Sequence, residues 1–155
     1  MTAPLPPEAP AVSIRRPWSG WWAPVTVWAT LAGAVSYVLA FDPTDRVADP
    51  TGPCLWHAVF GIDGPGCGGT RMVWYLLHGD LVQAGRHHLA ALLAVPYALY
   101  ALLAWTVSAF GGRMRVWRVP QWVLWGYGIG FLVYAVVLRN LPWEPFTWFY
   151  VPNLV

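Results

Sequence analysis

The sequence predicts an all-α integral membrane protein: three transmembrane helices, with a short interfacial helix in the first connection. Composition points there first. Hydrophobic residues make up 57% of the 155 and charged residues 10%, whereas a soluble globule usually carries roughly 25% charged residues. The chain holds 12 Trp and 7 Tyr, rings that suit the two headgroup zones of a bilayer better than a small aqueous core. Finally, three windows of about 20 residues, Trp21 to Phe41, Leu89 to Phe110 and Val119 to Leu138, lack formal charge. At about 1.5 Å of rise per residue, each crosses a ~30 Å hydrocarbon layer.

Residues 1–16 are proline-rich with little to pack, and read as a disordered cytoplasmic tail. Residues 17–155 form one membrane domain. A signal peptide competes for residues 1 to 41, but the uncharged stretch exceeds the usual apolar region of ~7–15 residues, and no A-x-A site follows. Arg15-Arg16 is followed by Pro17 and Trp18 rather than by a recognisable twin-arginine signal. The stretch from Leu141 to Val155 is aromatic and apolar, but Pro142, Pro145 and Pro152 break it, so it reads as interfacial.

Arg15 and Arg16 precede the first span, and Arg113, Arg115 and Arg118 crowd the second connection. The long connection 42–88 holds all five Asp against Arg46, Arg71 and Arg86. By the positive-inside rule the N-terminus is cytoplasmic, and the 42–88 loop and the C-terminus lie outside. The use of Arg without Lys fits a GC-rich bacterial genome, hence a bacterial cytoplasmic membrane. A net charge of +2 gives no case for nucleic acid.

All four His and both Cys also lie in the outer loop. Exclusion of polar groups from spans accounts for their gathering there, but not for their order. Asp42-Pro43, Asp49-Pro50, Gly52-Pro53 and Gly64-Pro65-Gly66 are turn signals, with a short apolar turn around Leu55 to Phe60. Thr70 is placed to cap a short helix ending at His78-Gly79. Arg71, Tyr75 and His78 share one side of it, and Met72, Val73, Leu76 and Leu77 the other. Asp80 with Gln83 reads as a capping box that opens the next helix, which runs on into the second span with a kink near Pro96.

Cys54, then Pro65, Cys67, Gly68, Thr70 and Arg71, then His78-Gly79-Asp80 and Ala84 follow one another at a distinctive spacing. This order resembles a family of small bacterial membrane proteins catalogued as a domain of unknown function, with a Cys-Pro-x-Cys-Gly-x-Thr-Arg run followed by His-Gly-Asp. The resemblance implies a topology and no activity. Gly64 stands where the family has a cysteine, and His88 where it has an Asn near the second span. Loss of a C-x-x-C weakens a thioredoxin-like pair or a cysteine-rich zinc site.

Cys54 and Cys67 form an even pair in a compartment read as oxidising, and most simply make a disulfide that ties the loop. Two buried thiols are the alternative. Thr70, Arg71, His78 and Asp80 are the candidate polar cluster. A helix start with an Arg suits an anion such as a lipid headgroup, while snorkelling of Arg71 and simple capping by Asp80 are the structural alternatives. His57, His78 and His87 are the least implausible metal or haem ligands, but adjacent His87 and His88 diverge on a helix and the spans contain no His, so no cofactor or metal is expected. The expected function is a non-enzymatic binding or accessory component of a membrane assembly. Its expected partners are the bilayer and another membrane protein, which Gly126, Gly128 and Gly130 would let approach closely. An enzyme or carrier acting on a lipid-linked phosphate through Arg71, His78 and Asp80, and a thiol-redox component, are the alternatives.

Reporter fusions after residue 155, within 112–118 and within 42–52 test the orientation: outside, inside and outside are expected. A cytoplasmic signal from 42–52 would reverse it.

Overall fold

The computed structural model describes residues 20–44, 54–115, 117 and 119–149. The tail 1–16, the turns at Asp49-Pro50 and Gly52-Pro53, Arg118 and the last residues of the C-terminal stretch lie outside the described residues. Five α-helices follow in order: α1 (Trp22–Phe41), α2 (Leu55–Phe60), α3 (Gly69–Leu77), α4 (Leu81–Ala109) and α5 (Gln121–Val136). Two 3-10 turns, Leu138–Asn140 and Phe146–Phe149, come after them. No strand occurs among the described residues. Three helical stretches, Trp22–Phe41, Leu81–Ala109 and Gln121–Asn140, are long and apolar enough to cross a membrane.

Because the spans are apolar all round, directional contacts set how they sit. Trp28 Nε1 donates to Thr106 Oγ1 at 3.0 Å, joining α1 to α4, while the Thr106 hydroxyl donates back to Leu102 O at 2.7 Å. Such a bond within the apolar layer contributes about 0.6–2 kcal/mol. The Tyr127 hydroxyl donates to Ala90 O, joining α5 to α4. At the start of the second connection, Tyr100 donates to Arg115 O and accepts from Trp117 N. The helices therefore stand in a row with α4 in the middle. Among the described residues α1 meets α3 and α4, α5 meets α4, and α1 and α5 do not approach one another.

Where α1 ends, Asp42 adopts a left-handed conformation (φ 45°), and its carboxylate accepts from Trp74 Nε1 at 2.9 Å, which fastens α3 to the end of the span. The apolar turn expected at Leu55 to Phe60 is the helix α2. The cap of α3 differs from expectation: Gly68, not Thr70, is the N-cap, and Thr70 lies inside the first turn. Successive turns, Cys67 N to Gly64 O at 3.1 Å and Gly69 N to Gly66 O at 3.2 Å, deliver the chain to Gly68 with φ 79°. That left-handed conformation costs a side-chain-bearing residue roughly 1–2 kcal/mol. The faces of α3 also differ, since Tyr75 stacks on His87 of α4 with ring centroids 5.1 Å apart, one turn from buried Met72.

Asp80 caps α4 as expected, accepting from Gln83 N at 3.0 Å, but the reciprocal half of the capping box is not made: Asp80 N donates to Tyr75 O at 2.9 Å and Gln83 Oε1 has no hydrogen-bond partner among the described residues. Pro96 lies within α4 as expected, and the helix is also broken at His88 (φ −161°, ψ 78°), the non-helical residue within it. A proline costs a helix one donor and a local clash. At His88 the chain gains more by leaving the helix. The His88 Nδ1 accepts from Ala91 N at 3.1 Å, three residues on, as an N-cap does, and Leu89 N donates to the Tyr134 hydroxyl at 3.1 Å. Two backbone donors opened by the break are thus satisfied.

A Cβ at Gly68 would lie 2.9 Å from His87 O, whereas one at Gly66 would meet nothing within 4 Å. Gly68→Ala should lower stability in detergent by at least about 1–2 kcal/mol, and Gly66→Ala by a few tenths at most. Unfolding midpoints in graded SDS measure both, and equal midpoints would contradict this account of the turn.

Candidate functional site

The polar residues that fold together are mostly not those the sequence singles out. They gather where the chain leaves α5. Asn140 grips the backbone of Asp63 from both sides: Asp63 N donates to Asn140 Oδ1 at 2.8 Å, and Asn140 Nδ2 donates to Asp63 O at 3.0 Å. The same Nδ2 also reaches Val136 O at 2.9 Å. Next to it Arg139, 2% exposed, donates from Nη1 to Cys67 O at 2.7 Å and places Nη2 3.5 Å from Asp63 Oδ2. Arg139 Nε has no hydrogen-bond partner among the described residues. The guanidinium is thus held by one strong bond and one ion pair rather than by a saturated fork.

On the far side of Asp63, His57 Nδ1 lies 3.4 Å from Oδ1. From α4, His88 Nε2 pairs with Pro65 O at 3.0 Å. A carbonyl can only accept, so Nε2 carries the proton and Nδ1 is left to accept from Ala91, which fixes a neutral tautomer. Tyr134 and Phe131 flank this ring, at centroid distances of 5.7 and 5.0 Å. Cys54 and Cys67 are joined in a disulfide with Cα atoms 5.5 Å apart, and Gly64 N lies 3.2 Å from Cys67 Sγ. The disulfide closes the segment from α2 to the Gly-rich turn. Arg139, Asn140 and His88 then fasten that segment to the second and third spans.

The other sequence candidates lie apart from this cluster. Asp80 is exposed and serves as the cap of α4. His78 is exposed, stacked on Trp74 at 3.9 Å with its Nδ1 2.8 Å from Trp74 O. Thr70 is exposed and Arg71 half-buried in the first turn of α3, and no ion pair joins Arg71 to Asp80 among the described residues. His57, His78 and His87 face three different partners. Among the described residues no group of three His, Cys, Asp or Glu could hold a metal.

Sequence reasoning passed over Arg139 and Asn140. The available signal was an Arg-Asn pair directly after an uncharged span, on the side where the loop supplies an excess of Asp. A charge at that depth needs a partner, and Asp63, beside the Gly-rich turn, was free to provide it.

Residues 54–102 match the family described as Protein of unknown function (DUF2752). The match runs from Cys54 through the disulfide turn, α3 and the His88 break into the middle of α4. It therefore includes Asp63 and Cys67, which Arg139 and Asn140 hold from outside it. No curated protein and no solved structure matches the chain. The chain is a three-span helical protein with a segment similar to a family of unknown function.

At 3.5 Å and an effective dielectric near 20, the Arg139–Asp63 attraction is about 5 kcal/mol, offset by several kcal/mol of desolvation for each ion. The pair therefore adds little net stability while intact but is costly to break. Arg139→Ala should destabilise by about 3–5 kcal/mol and Asp63→Asn by less, and the double variant should fall well short of the sum. A double-mutant cycle read from SDS unfolding checks this, and additive effects would show that the two side chains act independently.

Proposed function

We propose that the chain is a non-enzymatic accessory or binding component of a membrane assembly, in a bacterial cytoplasmic membrane with the 42–88 loop outside. The observation that carries this reading is in α5. A Cβ on Gly126, Gly128 or Gly130 would meet nothing within 4 Å, so packing within the chain gives no reason for three glycines in a helix where each costs up to about 1 kcal/mol. Gly126 and Gly130 are one turn apart, the small-xxx-small spacing that lets two helix backbones approach closely in lipid. A partner helix on that face supplies the reason for Gly126 and Gly130, while Gly128 lies on the other side of the helix.

The use of the polar residues supports the same reading. Asp63, Arg139, Asn140 and His88 are spent on one another and on backbone groups, which suits a scaffold better than a reacting centre. An enzyme or carrier acting on lipid-linked phosphate would need Arg71, His78 and Asp80 to converge, and Asp80 and His78 are engaged in the local contacts described above. Arg71 remains the residue best placed for an anionic headgroup.

A photo-crosslinking residue at Ile129 or Val133, which flank Gly126 and Gly130 on that face, should yield one discrete protein adduct in native membranes. Gly130→Ile should abolish it. Lipid adducts alone, unchanged by Gly130→Ile, would overturn the reading, as would turnover of a lipid-linked phosphate by the purified protein.

A further inference from the structure

The six residues of α2 are the most exposed apolar cluster in the first connection. Leu55, Val59 and Phe60 are 78%, 65% and 61% exposed. Leu55 and Val59 lie one turn apart, and Trp56 packs against Phe60 at a tilt of 43° with ring centroids 4.7 Å apart. The helix bears no carboxylate, Arg or Lys, and His57, its one polar side chain, is at Asp63. No other helix packs on it among the described residues.

We propose that α2 is a lipid-inserted foot, lying in the headgroup and upper acyl region of the leaflet at the Arg139 end of the spans. Its depth is set from both sides. Cys54, the N-cap of α2, is disulfide-bonded to Cys67, whose carbonyl is held by Arg139 at the end of the third span. Two residues past Gly61, the C-cap of α2, Asp63 is gripped by Asn140. Both ends of a helix only ~9 Å long are thus pinned at the level where α5 leaves the apolar layer. Trp143 and Trp148, 58% and 43% exposed, follow that same point in the chain, so aromatic side chains continue the lipid-facing surface of α5 up to the level of α2. An apolar helix in that plane buries its residues ~5–10 Å into the boundary between headgroups and acyl chains, and Trp56 suits the headgroup zone. Lipid, continuous with the surface the spans already present, is therefore the occupant of this face.

Accessibility of a spin label tests the proposal on the full-length protein in nanodiscs of phosphatidylethanolamine and phosphatidylglycerol. A ketone-bearing residue at position 55 or 59 carries the nitroxide without touching the cysteines, and a label at position 113, in the charged connection, is the aqueous reference. Retention of the disulfide, read by alkylation without reduction, certifies each labelled protein as folded. The ratio of oxygen to nickel-chelate collision should be several-fold higher at 55 and 59 than at 113. A ratio equal to that at 113 would put α2 in water, and low collision with both reagents would put it under protein. Either result overturns the proposal.

Discussion

The fold depends on one unfavourable circumstance, a guanidinium buried at the end of an apolar span. Arg139 is 2% exposed, and a charge so placed must find a counter-charge and acceptors nearby. The chain supplies both from 72 and more residues away in sequence, as the Cys67 carbonyl and the Asp63 carboxylate. Asp63 can reach Arg139 only if its backbone is brought against the end of the third span, and Asn140 does that with two hydrogen bonds. The tight approach of the Gly-rich turn, the disulfide that closes it and the left-handed Gly68 beside His87 O are all conditions for the same contact.

Seen from the loop, the His88 break has the same purpose. A continuous helix through His88 would direct its ring by helical geometry. With the helix interrupted, the ring caps the following turn with one nitrogen and holds Pro65 with the other. Arg139 and Asn140 on the third span hold both ends of the segment Asp63–Cys67, at Asp63 and at Cys67, and His88 on the second holds its middle at Pro65. The position of α4 relative to α5 is therefore tied to the integrity of a five-residue turn.

The legible part of this structure is the part that obeys one-dimensional rules. Absence of charge over twenty residues marks a long apolar helix wherever it occurs, so three such helices were readable, although the second begins at Leu81 rather than Leu89. The Asp80 cap was readable too, because a capping box is a local pattern of spacing. Thr70 misled because a general preference for caps was outweighed by the Gly64 to Gly68 turns, and the break at His88 was not legible because it answers to hydrogen bonds with residues distant in sequence. Arg139 and Asn140 were illegible as a site because their meaning lies in Asp63, 77 residues before Asn140, and no local pattern announces a pairing at that range. Thr70, Arg71, His78 and Asp80 drew attention as a run of motif-like residues, yet nearness in sequence around α3 leaves them at separate contacts.

The arrangement of the spans in a row, with α1 and α5 out of reach of one another, has a geometric consequence. Three helices standing side by side make a palisade one helix thick, with two broad faces and no interior. Only 6–11% of the residues in the apolar window of each span are buried inside the chain. Such a wall cannot by itself surround a pore or a solute cavity, because enclosure requires a closed circuit of helices.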